Sequence, residues 1–299
     1  MKIGIIGSSG FIGSNLNFFL RRNFRNNLFL FSSYSTNKKK WIDKVAKEIK
    51  REKPDIIINC AANQNLNNSK KNIINLINSN MYSNVMFLYQ ATKNKNFTGY
   101  ISFGTKWELG DRKISKPLNF YAATKKANES FFNFFSNKKI SIISLKIFDT
   151  YGPNDKRKKF LNDLLKSYKK NKSINITSGR QFLDYVHIND VCELVNKVIS
   201  DIKSKKLKGF KSFTVSSKKP IRLINFIKKL NKILDNNLKF NVGKKKYRIN
   251  ESKNQILNIF NYPGWKPQHK LFNELKFIFD KSWLWKFKIT LDFIKIKKY

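Results

Sequence analysis

Tyr121 and Lys125, in the stretch "YAATK", have the residue types and the spacing that acid–base chemistry uses. Side chains four residues apart lie on the same face of a helix. An ammonium group beside a phenol stabilises the phenolate and lowers the pKa of tyrosine from about 10 towards neutrality, so the phenol can exchange a proton at physiological pH. The spacing alone is weak evidence, because five of the eleven tyrosines have lysine four positions on: Tyr34, Tyr89, Tyr121, Tyr168 and Tyr262.

The predicted elements around Tyr121 separate it from the other four tyrosines. The apolar run at 99–105 predicts a strand that ends at Thr105, and Tyr121 opens the helix that follows. Ligands of an open α/β sheet bind beyond the carboxyl ends of its strands. We therefore expect Thr105 and Tyr121 to meet there, with the Thr105 hydroxyl holding a substrate oxygen. Tyr89, in the similar stretch "YQATK", lies late in the preceding helix, which the apolar spacing predicts across 72–94, far from such a strand end.

A glycine-rich turn, "GSSGFIG" at 7–13, stands between a predicted strand at 2–7 and a predicted helix. Glycines let the backbone turn tightly and approach a pyrophosphate, while the helix N-terminus offers free N–H groups and the positive end of the helix dipole. The alternative is a plain tight turn in a strand–helix unit. We expect a dinucleotide here, bound by Gly7, Ser9, Gly10, Phe11, Ile12 and Gly13.

The end of the second predicted strand, 27–31, bears on which dinucleotide binds. NAD sites place Asp or Glu about 20 residues past the glycines, on the ribose 2′-OH. Here Ser32 and Ser33 take that place, residues 1–42 contain no Asp or Glu, and Lys38–Lys40 follow. A 2′-phosphate suits this basic stretch, so the sequence favours NADP. An NAD enzyme with a hydroxyl at this point is the alternative.

Apolar runs of strand length alternate with amphipathic helical patterns through residue 150. Strands that are apolar throughout are typical of a parallel sheet covered on both faces. We predict an α/β chain with a Rossmann-type, doubly wound parallel sheet and a smaller C-terminal α/β substrate domain. The predicted dinucleotide-binding domain is 1–150, with 180–206 returning to it. The predicted substrate-binding region is 151–179 with 207–299, and it includes a basic aromatic tail at 281–299.

The net charge of +42, from 61 Lys and Arg against 19 Asp and Glu, is extreme. It indicates either attraction to an anionic partner or a lysine-rich surface without one. The second is favoured, because the lysines are scattered and no motif for specific nucleic-acid binding accompanies them. The tail at 281–299 fits peripheral contact with an anionic membrane or docking on its own domain, and docking is favoured. Two cysteines without a signal-peptide pattern predict a cytoplasmic chain, and no metal site is predicted.

Six motifs occur in the order typical of one family: "GSSGFIG", "DIIINCAAN", "GT" before "YAATK", "KIFDTYGPND", "DYVHINDV" and "YPGWKP". In them the chain resembles the extended short-chain dehydrogenases/reductases of the NAD(P)-dependent sugar-nucleotide epimerase/dehydratase family. The resemblance implies that Thr105, Tyr121 and Lys125 are catalytic and that Lys125 also binds the nicotinamide ribose. It further implies that Ala61 and Ala62 line the dinucleotide cleft, that the substrate is a nucleotide sugar, and that two helices flanking the catalytic strand form a homodimer.

Departures from the family pattern refine what the resemblance implies. Lys106 and Trp107 follow the catalytic threonine where 4,6-dehydratases have Asp and Glu, which argues against dehydration. Leu183 replaces an arginine that meets the nucleotide diphosphate, so Arg180 is expected to substitute for it; the alternative is a surface arginine. Asp149, where many epimerases have asparagine, is expected to bind substrate.

The combination of "GTKW", "NFYAATKKANE" and "TSGRQF" resembles 4-keto-hexose reductases of the CDP-abequose synthase type. It implies NADPH-dependent reduction of the C4 ketone of a nucleotide-activated deoxyhexose, in surface polysaccharide biosynthesis. Two alternatives stay open: an NAD-dependent nucleotide-sugar 4-epimerase, and a non-catalytic protein that binds anionic partners. His187 is expected to pack between sheet and helix rather than to exchange protons.

Overall fold

The structure, a computed structural model, describes residues 1–33, 37–111, 113, 116–152, 155–248 and 251–280. The basic aromatic tail at 281–299, with the two alternatives weighed for it, lies outside these residues. The strands are β1 (Ile3–Ile6), β2 (Leu28–Leu30), β3 (Ile56–Asn59), β4 (Gly99–Thr105), β5 (Ser141–Ile147), β6 (Asp149–Tyr151), β7 (Ile174–Asn175), β8 (Phe182–Leu183), β9 (Tyr185–His187), β10 (Phe210–Val215), β11 (Ile221–Arg222) and β12 (Phe240–Asn241). The α-helices are α1 (Phe11–Phe24), α2 (Lys38–Glu52), α3 (Lys70–Ile77), α4 (Ser83–Ala91), α5 (Phe120–Phe135), α6 (Phe160–Lys169), α7 (Ile188–Lys203), α8 (Leu223–Ile233) and α9 (Leu271–Asp280).

The main sheet has six strands in the order β2-β1-β3-β4-β5-β10, and all its neighbours run parallel. Ile3 of β1 pairs with Leu28 on one side and with Ile56 on the other. Every residue of β1 and β3 is buried, as expected for strands covered on both faces. The parallel order brings the carboxyl ends of the strands to one edge of the sheet.

Helices cover both faces of this sheet, which confirms the predicted doubly wound arrangement. On one face, α1 and α7 pack Leu16 and Val195 onto the strands. On the other, α2, α4 and α5 pack Ile42, Phe87 and Phe132. Full burial of one such side chain stabilises the fold by about 1.5–3 kcal/mol. The two cores therefore hold the strand ends, where a ligand would bind, in a fixed relation.

The second region has its own core, formed mainly by α6, α8 and α9. Three short strand pairs lie in it: β6 with β9, β7 with β12, and β8 with β11. Strand β6 begins two residues after β5 ends, so this region starts at the carboxyl edge of the main sheet. In the described part of the chain, no helix combines the length and the apolar character needed to cross a membrane.

The division between the two regions differs from the sequence prediction, which returned 180–206 to the first domain and assigned all residues from 207 onward to the substrate-binding region. Strands β8 and β9 pair within the second region. Strand β10 instead completes the main sheet, pairing with β5 from Phe210 opposite Ile142 to Val215 opposite Ile147. Helix α7 packs in the core of the same sheet. A short apolar run predicts a strand but not its partner, because parallel pairing joins segments that are distant in sequence.

Candidate active site

The glycine turn fits a dinucleotide pyrophosphate. Gly7 has a φ of +77°, and a Cβ on it would lie 2.6 Å from the backbone nitrogen of Ala61. A Cβ on Gly13 would lie 2.2 Å from the Gly7 carbonyl oxygen. Only glycine fits both positions without displacement of the backbone. Helix α1 begins directly after Gly10, which caps it with no side chain, so the first N–H groups of the helix are available to an anion.

The other residues predicted to hold the cofactor lie around this turn. Ser9 is exposed at its tip, Phe11 is the first residue of α1, and Ile12 lines the adjoining cavity. Ala61 and Ala62 follow β3 at the same edge of the sheet, and Ala62 also lines the cavity. The structure thus brings these residues together, and their binding of a dinucleotide stays a prediction.

Thr105, Tyr121 and Lys125 line one cavity, with exposures of 9 %, 6 % and 6 %. Thr105 ends β4 at the carboxyl edge of the sheet. Tyr121 is the second residue of α5, a helix capped by Asn119, whose side chain accepts a backbone N–H at 2.8 Å. The cap fixes where α5 begins and so places Tyr121 opposite the end of β4.

Trp107 closes one side of this group. Its backbone N–H donates to the Thr105 hydroxyl oxygen at 3.4 Å, so the hydroxyl proton of Thr105 can be given to a ligand. Its ring meets the Tyr121 ring edge to face, with 6.4 Å between centroids. Lys106 and Trp107 therefore occupy the two positions after the catalytic threonine without offering a carboxylate.

Burial shifts the pKa values of Tyr121 and Lys125 in directions that were not expected from the sequence. Burial raises the pKa of Tyr121 above its usual value, and the negative charge of Glu108 raises it further. Burial also lowers the pKa of Lys125 to about 8, although the charges of Glu108 and Cys60 oppose this. The expected lowering of the Tyr121 pKa by Lys125 is not found, because burial disfavours the charged form of each. Tyr121 is a neutral phenol at neutral pH, which suits a proton donor.

Glu108, which was not predicted from the sequence, is a buried carboxyl group beside Thr105. Its Oε1 accepts the Thr105 N–H at 2.6 Å and closes the capping box of a 3-10 turn at Lys106–Leu109. Its Oε2 has no hydrogen-bond partner among the described residues. Burial raises the pKa of Glu108 to about 7, against the Thr105 N–H and the positive charges of Lys146 and Lys125. The Thr-x-x-Glu spacing is a capping-box signal that could have identified Glu108 from the sequence.

The helix predicted across 72–94 is divided by a π-helical turn at Asn78–Tyr82. In this turn the buried Asn80 side chain accepts the Asn63 N–H at 2.9 Å and donates to the Asn63 carbonyl oxygen at 3.0 Å. It also donates to the Thr124 hydroxyl of α5 at 3.2 Å, and the Asn128 amide donates to the Asn80 carbonyl oxygen at 2.8 Å. These bonds tie the loop after β3 to α5, the helix that carries Tyr121. Such turns are common at functional sites, but an apolar pattern does not reveal them.

A cavity of about 860 Å³ extends from the catalytic group into the second region. Asp149, the predicted substrate-binding residue, lines it and forms an ion pair with Lys106. The Asp184 N–H donates to the same carboxylate oxygen of Asp149 at 3.3 Å. Asp149 is thus held in the cavity wall next to the catalytic threonine, as its predicted role requires.

Arg157, which was also not predicted from the sequence, joins the glycine turn to the cavity wall. Its Nε pairs with Asp155 at 2.7 Å, and one of its terminal nitrogens donates to the Thr150 carbonyl oxygen at 2.9 Å. The guanidinium carbon lies 4.1 Å from the centroid of the Phe11 ring. A guanidinium group fixed in this way presents its charge in one orientation.

Arg180 does not lie where the sequence argument placed it. It is exposed, and the cavity wall in the described part of the chain does not include it. Its N–H donates to the Tyr247 hydroxyl at 3.0 Å, and its carbonyl oxygen accepts from Arg222 at 3.1 Å, which fixes this loop with the side chain in solvent. Other basic side chains line the cavity: Lys158, Lys159, Lys245, Lys246 and Arg248.

Ser32 and Ser33 follow β2, the edge strand of the main sheet. The Ser32 N–H donates to Glu48 Oε2 at 2.9 Å, and the Ser32 hydroxyl donates to Glu48 Oε1. The indole N–H of Trp41 donates to the Ser32 carbonyl oxygen at 2.9 Å. A carboxylate therefore lies at the end of β2, although residues 1–42 contain no Asp or Glu, because α2 supplies it.

His187 packs as the sequence argument expected. It is 3 % exposed, and its ring stacks on that of His269 with 4.2 Å between centroids. Burial, with the neighbouring His269, lowers the pKa of His187 to about 4. The ring is neutral at physiological pH and is part of the packing under α7.

Known proteins share both the sequence pattern and the fold. Residues 3–209 match the model of the NAD dependent epimerase/dehydratase family. The chain is 26 % identical over 265 residues to the CDP-abequose synthase of Yersinia pseudotuberculosis, and the alignment covers 84 % of this chain and 90 % of the relative.

Two solved structures illustrate the shared fold. One is the UDP-glucuronic acid 4-epimerase from Bacillus cereus in complex with UDP-glucuronic acid and NAD, with a TM-score of 0.73, 19 % identity, and coverage of 94 % of this chain and 98 % of that chain. The other is RMD from Pseudomonas aeruginosa complexed with NADPH, with a TM-score of 0.74, 16 % identity, and coverage of 94 % and 98 %.

The family match spans more than half of the chain and contains the glycine turn, the catalytic group and Asp149. The structure arranges these residues along one edge of a parallel sheet, with the catalytic group and Asp149 around a single cavity. The chain therefore belongs to the NAD dependent epimerase/dehydratase family and is an NAD(P)-dependent oxidoreductase or epimerase of the extended short-chain dehydrogenase/reductase type.

Proposed function

We propose that this enzyme reduces the C4 ketone of a nucleotide-linked deoxyhexose. The observation that carries the proposal is the arrangement of three side chains: the buried Tyr121 phenol lines the same cavity as the Thr105 hydroxyl and the Lys125 ammonium group. Lys106 and Trp107, at the positions of the dehydratase carboxylates, argue against elimination. Similarity to a CDP-abequose synthase over most of both chains supports a 4-keto sugar and a role in surface polysaccharide biosynthesis.

The chain's residues divide the reduction among them. A bound reduced nicotinamide dinucleotide supplies the hydride that C4 receives. Tyr121 gives its phenolic proton to the ketone oxygen, so hydride and proton together convert the ketone to an alcohol. The Thr105 hydroxyl donates a hydrogen bond to the same oxygen, and the Lys125 ammonium group stabilises the phenolate that remains.

The far part of the cavity suits a nucleotide diphosphate. Its basic side chains (Lys158, Lys159, Lys245, Lys246 and Arg248) supply charge-assisted donors for phosphate oxygens. Asp149 and its ion-pair partner Lys106 line the same cavity, and in the proposed binding mode they contact the sugar hydroxyls. Arg180, which is exposed, is not assigned a role in substrate binding.

The test is an assay of CDP-, GDP-, UDP- and dTDP-linked 4-keto-6-deoxyhexoses with both NADPH and NADH. We expect one of these keto sugars to be reduced to the 4-hydroxy sugar while the reduced dinucleotide is oxidised. Tyr121→Phe is expected to lower kcat by about 100-fold or more, because the phenolic proton donor is lost. Tyr89→Phe is the matched control: Tyr89 also has lysine four residues on, with Lys93 Nζ 4.0 Å from its ring centroid, but lies away from the site and should keep full activity.

Two results would contradict the proposal. Conversion of a nucleotide sugar into its C4 epimer, with retained NAD and no net consumption of reduced dinucleotide, would favour the epimerase. Absence of turnover with every sugar, together with salt-sensitive binding of polyanions that Tyr121→Phe leaves unchanged, would favour a non-catalytic protein for anionic partners.

A further inference from the structure

Helix α2 places a carboxylate at the end of β2. Glu48, half-buried on α2, is held by two hydrogen bonds from Ser32, one from its N–H at 2.9 Å and one from its hydroxyl. Trp41, one heptad earlier on the same face of α2, donates to the Ser32 carbonyl oxygen at 2.9 Å. All three polar groups of Ser32 are therefore bound to α2.

The sheet ends at this point. Strand β2 is the edge strand, and Ser32, just beyond its end, is bound to α2 through Glu48 and Trp41. A dinucleotide with its pyrophosphate on the Gly7–Gly13 turn extends its adenosine ribose towards the end of β2. The ribose would then meet whatever α2 presents there, which is the Glu48 carboxylate.

A carboxylate at this position discriminates between the two dinucleotides. Each ribose hydroxyl can donate a hydrogen bond to it, and an ionised carboxylate has about four acceptor sites, of which Ser32 uses two. A 2′-phosphate carries negative charge at neutral pH and would be repelled by Glu48 at hydrogen-bonding distance.

The lysines at the start of α2 would attract a 2′-phosphate, but more weakly than Glu48 would repel it. Lys39 and Lys40 are exposed on the first turn of the helix. Exposed charges are screened by water and salt, whereas Glu48 is half-buried and held by two bonds at the end of β2. The fixed carboxylate outweighs the solvated ammonium groups.

We propose that Glu48 replaces the acid missing from the end of β2: it accepts hydrogen bonds from the adenosine ribose hydroxyls and selects NADH over NADPH. The proposal rests on the dinucleotide use that underlies the proposed function, and it does not depend on which sugar is reduced. It reverses the preference that the sequence argument drew from the absence of Asp and Glu in residues 1–42.

The test measures binding, so that it is independent of turnover. NADH and NADPH are titrated against the full chain and its Glu48→Gln variant by nicotinamide fluorescence. We expect the wild type to bind NADH about tenfold or more tighter than NADPH, because the ribose hydroxyls bond to a charged group that repels the 2′-phosphate. Glu48→Gln should weaken NADH, strengthen NADPH and bring the two dissociation constants within about threefold.

The control is Glu52→Gln, one turn further along α2, where the carboxylate pairs with Lys2 and Arg51 at the surface. It should leave both dissociation constants unchanged. Tighter binding of NADPH than of NADH by the wild type would overturn the proposal, and this holds even if Glu48→Gln does not fold. Equal weakening of both dinucleotides by Glu48→Gln would also overturn it, because that result would mean a purely structural role. An altered preference without reduction of any sugar would uphold Glu48 and contradict the proposed function.

Discussion

At the scale of single residues, Glu108 links the backbone of the catalytic strand to the charge balance of the site. Its carboxyl group is bound to the Thr105 N–H, and a Cβ on Gly104 would lie 2.4 Å from Glu108 Oε1, so a glycine makes room for it. Its negative charge raises the pKa of both Tyr121 and Lys125. We therefore expect Glu108 to act through Thr105, Tyr121 and Lys125 rather than on the substrate.

Glu108→Gln is expected to shift the pH profile of the reduction. Burial lowers the pKa of Lys125 to about 8 while Glu108 opposes it, so the loss of that charge lowers the pKa of Lys125 further. If the ammonium form of Lys125 stabilises the phenolate, kcat is constant below its pKa and falls above it. The fall in kcat should move to lower pH by about one unit in the variant, since one unit corresponds to about 1.4 kcal/mol of interaction.

The measurement is kcat against pH for the wild type, Glu108→Gln and Glu193→Gln. Glutamine keeps an oxygen that can accept the Thr105 N–H, so the variant separates the charge from the capping bond. Glu193 is exposed on α7 and serves as the control, whose profile should match the wild type. A Glu108→Gln profile that coincides with the wild type would show that Glu108 has a capping role without electrostatic influence on the site.

At the scale of elements, the turn between β1 and α1 combines two kinds of glycine. A Cβ on Gly13 would lie 2.2 Å from the Gly7 carbonyl oxygen, whereas a Cβ on Gly10 would meet the same atom at 3.4 Å, close to ordinary contact. Gly13 is therefore needed for the turn to pack on its own helix. Gly10 is exposed at the N-terminus of α1, and we expect it to be needed for the approach of a ligand.

Gly13→Ala and Gly10→Ala should consequently fail in different ways. Gly13→Ala overpacks the turn and should destabilise the fold by about 1–3 kcal/mol, seen as a lower Tm in thermal unfolding. Gly10→Ala should keep a Tm close to that of the wild type but weaken dinucleotide binding in the fluorescence titration. The reverse pattern would mean that the turn does not hold the pyrophosphate.

The sequence predicted most of these elements, but not the interruption between α3 and α4. Apolar spacing indicated a helix across 72–94, and a π-helical turn changes the register of that helix without removing its apolar residues. The reason for the turn lies in bonds from Asn80 to Asn63 and Thr124, which are remote in sequence. Asparagine is common throughout this chain, so its residue type alone did not mark these positions.

At the scale of the whole molecule, apolar side chains remain exposed on neighbouring helices of one face. Ile74 and Ile77 of α3, Tyr82 of the π-helical turn and Phe134 of α5 have exposures of 49 %, 38 %, 41 % and 81 %. Helices α3 and α5 pack beside each other. Exposed apolar groups on adjacent elements are typical of an interface, and α3 and α5 precede and follow β4 in the chain, like the two helices of the homodimer prediction.

We predict that the full chain is a dimer through this face. Ile74→Glu should convert it to a monomer in analytical ultracentrifugation, because in a twofold interface the same charge is buried on both subunits. Leu257→Ser, at an exposed apolar residue outside α3 and α5, is the control and should leave the dimer intact. A wild type that sediments as a monomer, or a dimer that Ile74→Glu does not dissociate, would contradict this assignment.

In a chain with so large a positive charge, the positions of the few carboxylates are informative. With 19 acidic residues against 61 basic ones, the chain places Glu48, Glu108 and Asp149 at its candidate site. The remaining positive field raises the local concentration of anionic ligands, such as a nucleotide diphosphate, and this effect weakens with salt. Attraction of an anionic substrate therefore offers an explanation of the positive charge that needs no nucleic-acid partner.

The sequence by itself determined the features that depend on neighbouring residues. The spacing of Gly7, Gly10 and Gly13 indicated the turn. The strand that ends at Thr105 and the helix that begins before Tyr121 indicated that these two residues meet. The alternation of apolar strands and helices indicated the doubly wound sheet. Local spacing carries this information because a helix face and a strand end are defined over a few residues.

Only the tertiary structure decided the features that depend on approach between distant segments. It brought Glu48 to Ser32, placed β10 beside β5, and left Arg180 in solvent. It also reversed the expected shift of the Tyr121 pKa, because the burial that disfavours a phenolate is a property of the packed site. A residue pattern states which groups are present, and packing decides which charges they meet and how far water is excluded from them.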